Sequence, residues 1–297
     1  MTKVAVLGAG GVGGFVAGAL WRAGADVRVV ARSETAPTLR ETGLAVVSRA
    51  LGRDFTAHPS VVTELAEPVD VLFVATKATG LTGALELVEA PPQLVLPLLN
   101  GVDHLALLRE RFGVERVAAA VIRIESDRPS VGVIAQTSPG ARVDIAGGQP
   151  ELGACAELLR AAGLEVRLGD SEAQVMWSKL ARLCALALTT SASDQPIGYV
   201  RSDPRWRSAL EGAVSETVAV ANAEGAALAA ADTLAELDGA HGELGSSMQR
   251  DIVAGRVTEL DAIAGAVLRA GKRHGLRCPT VQWLAERVAV RAARTAA

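Results

Sequence analysis

Residues 3–32 read KVAVLGAGGVGGFVAGALWRAGADVRVVAR, and their order decides the fold of the first half of the chain. Val4–Leu7 is a short apolar run of strand type. Gly8-Ala9-Gly10-Gly11-Val12-Gly13 follows at once, then a helical stretch from Gly14 to Ala23 and a second strand from Asp26 to Ala31. A G-x-G-x-x-G turn set between a strand and a helix is where a dinucleotide pyrophosphate binds. Gly8 allows the tight turn, Gly10 lets the phosphates approach the backbone, and Gly13 lets the helix pack on the sheet. The start of the helix adds free N–H groups and a partial positive charge. In a chain with 30 glycines such a turn alone is weak evidence; the strand and helix on either side give it meaning.

The second strand ends at Ala31-Arg32-Ser33. An Asp or Glu here takes the ribose 2′-hydroxyl of NAD, whereas an Arg suits a 2′-phosphate. The plain alternative is a solvated arginine closing a strand. Arg32 without an acid favours NADP(H).

Beyond Arg32 the alternation continues. A helical or irregular stretch, 35–42, precedes short strands near 44–47 and 54–57. Val69–Ala75 is a continuous apolar run, as in a strand buried on both faces of a parallel sheet. Gln93–Leu99 is a second such run, with an irregular end at Pro97. Helices are expected near 81–88 and 104–112. Further strands are expected near 117–122, 131–136, 142–145 and 163–168, the 131–136 and 142–145 pair antiparallel. From Asp170 strand signals stop, and helical periodicity runs over about 171–190, 204–224, 230–254, 259–274 and 280–293. The expected fold class is α/β, a doubly wound sheet over residues 1–169 and an all-helical domain over 170–297.

A chain of 297 residues is long enough for two domains with their own cores. Net charge is −3 and the pI about 5.9, which implies no general affinity for nucleic acid. No apolar run approaches the ~18 residues of a membrane span. The first residues lead straight into a strand without a basic region, so no signal peptide is expected. Cys155, Cys184 and Cys278 are widely spaced in apolar surroundings, as free thiols in a reducing cytoplasm would be. The four histidines have no metal-ligand spacing, and no metal is expected.

Ligands of an open parallel sheet lie at the carboxyl ends of its strands. The Gly8–Gly13 turn, Arg32, Lys77 and Asn100 all fall at such ends. Lys77 is also readable as a solvated loop lysine and Asn100-Gly101 as a common turn pair. Both residue types are rare here: the chain has four lysines, Lys3, Lys77, Lys179 and Lys272, and two asparagines, Asn100 and Asn222. In the helix around 175–188, Lys179 falls within the apolar stripe of Val175, Leu183 and Ala187. It either snorkels outward or faces a cleft where it could donate a proton. Further on, Ser247 and Asp251 are four apart on one helical face. Thr258 and Asp261 read as a capping box, which gives Glu259 the ordinary role of an acid in a first helical turn.

These motifs, VLGAGGVG (6–13), the arginine after the second strand, ATKA (75–78), LLNG (98–101), WSKL (177–180), SSMQRD (246–251) and GRVTELD (255–261), occur in the order found in ketopantoate reductases. The chain resembles that family over nearly its whole length. The resemblance implies an NADP-dependent, cytoplasmic oxidoreductase of pantothenate biosynthesis. It further implies a Rossmann domain, an all-helical C-terminal domain, and a substrate cleft between the two. By position, Lys179 matches the lysine that protonates the carbonyl oxygen, and Glu259 the acid that orders the substrate hydroxyl and the lysine. Ser247 matches the serine that holds the substrate carboxylate, Asp251 its supporting acid, and Asn100 the asparagine near nicotinamide and substrate. The cofactor side comprises Gly8, Gly10, Gly11, Val12, Gly13, Arg32, Lys77 and Asn100. The partner implied is a small 2-oxo acid, with no nucleic acid and no membrane, and a homodimer is admitted. The chain departs from the family where asparagines are usual: Leu183, Ala187 and Leu244 stand there, and Leu183 is assigned to the substrate side. An unpaired buried polar group costs ~1–3 kcal/mol, so a ketone or imine more apolar than ketopantoate is the second reading. A non-catalytic NADP(H)-binding regulator is a third, against which the retained Lys179 and Glu259 speak.

Overall fold

A computed structural model describes residues 2–296. The chain opens with β1 (Lys3–Leu7), α1 (Gly11–Arg22), β2 (Asp26–Val30), α2 (Ala36–Thr42), β3 (Leu44–Ser48), β4 (Phe55–Ala57), β5 (Ser60–Val62) and β6 (Val71–Val74). A 3-10 turn (Ala78–Gly80) leads into α3 (Leu81–Leu85), β7 (Leu94–Pro97), α4 (His104–Phe112), β8 (Ala119–Arg123), β9 (Ser126–Ser130), β10 (Val133–Gln136), β11 (Arg142–Ala146), α5 (Leu152–Ala161) and β12 (Glu165–Leu168). The rest is helical: α6 (Glu172–Ser193), α7 (Ile197–Ser202), α8 (Pro204–Ala223), α9 (Ala230–Asp238), α10 (Ser247–Val253), a π-helical turn (Asp261–Gly265), α11 (Ala266–Arg273) and α12 (Pro279–Ala296).

Two compact units result, one running to Leu99 and resuming over His104–Val175, the other made of Asn100–Asp103 and the chain from Met176 onward. The division falls inside α6.

The first unit is built on a five-stranded sheet in the order β5-β2-β1-β6-β7, every neighbour parallel. The order reverses between β1 and β6, the switch point at which ligands of doubly wound sheets bind. β6 and β7 are buried throughout, which is why they read as unbroken apolar runs. Beside β7, a parallel bridge from Val95 to Val117 leads on to β8, which pairs antiparallel with β11; β11 in turn pairs parallel with β12.

A separate sheet, β4-β3-β10-β9, covers α1. That cover depends on small residues. A Cβ on Gly14 would stand 2.4 Å from Ile134 Cδ1, and one on Gly18 2.8 Å from Val46 Cγ2. Phe15, Val16 and Leu20 of the same helix are fully buried. The expected antiparallel pairing of 131–136 with 142–145 does not occur. β10 pairs with β3 and β9, and β11 with β8 and β12, so the two strands belong to different sheets. Their proximity in sequence favoured a hairpin; the need to cover α1 draws β10 away.

In the second unit α6 is apolar almost all round, with residues 184–191 buried. Its neighbours are capped by side chains. Asp203 accepts the N–H groups of Arg205 and Trp206, both at 3.0 Å, at the start of α8. Glu216 accepts those of Thr280 and Val281 at 2.8 and 2.9 Å at the start of α12. Each cap satisfies donors that a helix start leaves unpaired. The single helix expected over 230–254 is two, α9 and α10, with Gly239, Gly242 and Gly245 between them. Gly198 and Gly242 come so close that a Cβ on Gly198 would stand 2.9 Å from the Gly242 carbonyl oxygen.

Candidate active site

In the first unit the glycine turn has the geometry that close approach requires. Gly8 has φ +102°, a conformation side chains resist, and its N–H donates to the Val30 carbonyl at 3.1 Å. A Cβ on Gly13 would stand 1.9 Å from the Gly8 carbonyl oxygen, so no other residue fits there. Gly10 is different, with nothing within 4 Å of its Cβ position. Gly10 caps α1 without any side-chain cap, and no acid lies in the first turn. The N–H groups of Gly11, Val12 and Gly13 therefore begin a helix whose start is open to an anion. Gly11 has a second reason to be glycine. Its Cβ position lies 2.5 Å from the Ser126 carbonyl oxygen, and Ser126 Oγ donates to the Gly11 carbonyl at 2.8 Å.

Two further features of this edge fit a dinucleotide. Thr76 Oγ1, beside Gly8, is buried without a hydrogen-bond partner. Arg32 is exposed two residues past β2, its Nη2 3.6 Å from the Cβ position of Gly80; its carbonyl accepts the Thr35 and Ala36 N–H groups, while its guanidinium makes no hydrogen bond or ion pair to a described residue. Lys77 is exposed and precedes the 3-10 turn. An orphan hydroxyl, a free guanidinium, an open helix start and a glycine with empty space beside it suit the ribose and pyrophosphate of a dinucleotide.

The second unit brings three of the predicted residues together. Lys179 Nζ donates to Asn100 Oδ1 at 2.9 Å, and Asn100 Nδ2 donates to Glu259 Oε2 at 2.9 Å. The ammonium has only donors and the carboxylate only acceptors, so the amide is satisfied in one orientation. All three side chains are partly buried. Glu259 stands just before the helix that opens at Leu260, and the Ile263 N–H donates to its carbonyl at 3.1 Å. The expected capping box is absent: Asp261 is held by Arg269 instead, at 2.7 Å.

The remaining predicted residues stand apart from this row. Ser247 is exposed. Asp251 is buried and takes the Arg256 guanidinium at 2.8 Å. Leu183, one turn past Lys179, is half-buried, whereas Ala187 and Leu244 are 1% and 7% exposed. The departures at Ala187 and Leu244 are thus absorbed by packing, and Leu183 alone of the three is not buried. Ser246, part of the SSMQRD motif but not one of the predicted site residues, accepts at Oγ the Gln249 N–H at 3.1 Å and the Thr190 hydroxyl at 3.0 Å. Its signal was the S-x-x-Q spacing that opens a helix. Arg269 was missed as well, because nothing in a helical pattern marks which arginine bonds back along its own helix.

Among the described residues no helix is long and apolar enough to cross a membrane, and no cluster of His, Cys, Asp or Glu could hold a metal.

A doubly wound unit with a glycine turn, joined to a helical unit carrying a lysine–amide–carboxylate row, defines a two-unit α/β oxidoreductase. The chain belongs to the ketopantoate reductase family. The family model "Ketopantoate reductase PanE/ApbA" matches residues 4–146 and its C-terminal counterpart residues 173–292. A Caulobacter vibrioides protein named 2-dehydropantoate 2-reductase is 31% identical over 286 residues, covering 94% of this chain and 95% of its own. The crystal structure of a PanE/ApbA family ketopantoate reductase from Ralstonia eutropha superposes with a TM-score of 0.88 at 26% identity, over 99% of each chain. A D-mandelate dehydrogenase solved with NADH and anilino(oxo)acetate shares the fold, with a TM-score of 0.90 at 22% identity over 99% of each chain.

Proposed function

We propose that the protein reduces a 2-oxo acid to the 2-hydroxy acid with NADPH, ketopantoate to pantoate being the first candidate reaction. In this reading residues 1–169 hold the cofactor and 170–297 the substrate. The observation that carries it is the row Lys179–Asn100–Glu259. A nicotinamide dinucleotide held at the Gly8–Gly13 turn would supply the hydride that the carbonyl carbon takes up. Lys179, held by the Asn100 amide oxygen, gives a proton to the carbonyl oxygen as it becomes an alkoxide. Glu259 fixes the Asn100 amide and accepts a hydrogen bond from the substrate hydroxyl. Ser247 takes the substrate carboxylate, and the Arg256 ion pair keeps Asp251 in place behind it. Gly8, Gly10, Gly11, Val12, Gly13 and Lys77 form the cofactor side, and Arg32 takes the 2′-phosphate.

A second reading keeps this chemistry and changes the acceptor to an acid with a bulkier apolar group. It is favoured by Leu183, which presents an apolar surface one helical turn from Lys179. NADPH oxidation against ketopantoate and a series of branched and aromatic 2-oxo acids separates the two. A kcat/KM for ketopantoate near 10⁵ M⁻¹s⁻¹, well inside the ordinary enzyme range, removes the second; a larger value for an aromatic acid removes the first. No turnover with any member leaves neither standing. For the cofactor, a lost charge-assisted contact costs ~1.5–3 kcal/mol. Arg32→Ala should therefore raise the KM for NADPH by about one to two decades and leave that for NADH nearly unchanged. A wild-type preference for NADH would overturn the assignment.

A further inference from the structure

The Asn100–Glu259 hydrogen bond joins two segments far apart in sequence, and a guanidinium bridges those same segments. Arg269 Nε and Nη2 donate to Asp103 Oδ2 at 3.1 and 2.7 Å. Its Nη1 donates to Asp261 Oδ1 at 2.7 Å, and Nη2 also reaches the Asp261 carbonyl at 3.1 Å. Asp103 lies in the short segment that begins with Asn100, and Asp261 follows Glu259 by one intervening residue. Helical side chains lean toward the N-terminus of their helix, so an arginine on α11 is directed back toward the turn that Glu259 precedes.

The backbone is shaped for this bridge. Gly101 has φ +88°, and a Cβ there would stand 2.3 Å from the Ala262 carbonyl oxygen, so the two segments already touch. A Cβ on Gly265 would stand 2.3 Å from Asp261 Oδ1 and 2.8 Å from Arg269 Nη1, so glycine leaves the passage through which the ion pair forms. The stretch Asp261–Gly265 is a π-helical turn, a geometry seen often at functional sites.

We propose that Arg269 is a positioning residue: by tying Asp103 to Asp261 it sets Asn100 against Glu259, and through Asn100 it places the Lys179 ammonium. This rests on the reading of Lys179–Asn100–Glu259 as the reacting row. An ion pair this exposed adds little stability of its own; its effect is geometric.

The test compares Arg269→Gln and Asp103→Asn with wild type and with Arg273→Gln, a control on the same helix that pairs with Glu224. Both clamp variants should lose about tenfold in kcat, the scale of a sub-ångström misplacement, with the KM for NADPH unchanged and wild-type melting within a few degrees. Arg273→Gln should keep wild-type kcat. In an Asn100→Ala background Arg269→Gln should cost nothing further, and hydrogen exchange should quicken jointly at 100–103 and 259–265. A kcat for Arg269→Gln within twofold of wild type, or a penalty that persists without Asn100, overturns the proposal. If Asn100→Ala itself turns over at the wild-type rate, it is the reading of the row that has failed. The clamp is then judged by exchange, where joint loosening in Arg269→Gln upholds it and unchanged exchange ends it.

Discussion

Asn100 stands between an ammonium and a carboxylate, and only one orientation of its amide serves both. Lys179 is therefore held in place by its acceptor, which a snorkelling lysine would not be. If it is the general acid, Lys179→Ala should lower kcat by ~10²–10⁴-fold and leave NADPH affinity nearly unmoved. Lys179→Arg should restore little, since a guanidinium does not give up its proton at working pH. A Lys179→Ala protein that binds NADPH and turns over near the wild-type rate would end the assignment. The adjacent serines make a sharper pair. Ser246 is buried and caps α10, so Ser246→Ala should cost about 0.5–2 kcal/mol of stability with normal kinetics. Ser247 is exposed, and Ser247→Ala should raise substrate KM without a stability loss. The sequence pointed at Lys179 through its place in an apolar stripe. It could not show the Asn100 contact, because a hydrogen bond across 79 residues leaves no local pattern.

At the scale of elements, the glycine turn was legible because each glycine answers a backbone requirement rather than a side-chain one. The requirements differ, and that difference is testable. Gly10→Ala has open space for its methyl group, so the fold should hold while dinucleotide affinity falls. Gly13→Ala drives a methyl group into the Gly8 carbonyl and should destabilise by more than the ~1–3 kcal/mol typical of overpacking. Equal melting temperatures for the two variants would contradict this account. Gly14 and Gly18 were not singled out, since what they accommodate is β10 and β3, strands distant in sequence. β9 was missed outright. Its residues Ser126–Ser130 read SDRPS, four of the five exposed, and neither apolar alternation nor β-branched residues mark them. The break between α9 and α10 was missed for the opposite reason. The apolar period continues on either side, while Gly239, Gly242 and Gly245 carry the turn.

Across the whole molecule the switch from alternating strands and helices to helices alone was plain in the sequence, because it depends on patterns that run over tens of residues. The three thiols follow from the same cores. Burial pushes Cys155 and Cys184 from 9.0 up to about 12, and raises Cys278 as well. Cys155 and Cys184 should resist a thiol reagent at pH 8 in the folded protein and react on unfolding. The unfolded chain loses these protons near pH 9 while the folded chain keeps them to about 12. The stability they contribute is therefore complete below pH 9 and is lost as pH rises toward 12. Urea midpoints at pH 8 and 10 should fall less in a Cys155→Val, Cys184→Val double variant than in wild type; an equal fall would contradict the shift. The helical unit owns four residues, Asn100–Asp103, that the chain delivers from the middle of the other unit. A chimera that joins the front half of one relative to the back half of another would inherit that segment from the wrong parent. Such a graft has three seams, after residues 99, 103 and 175, and should work best when all three are cut together.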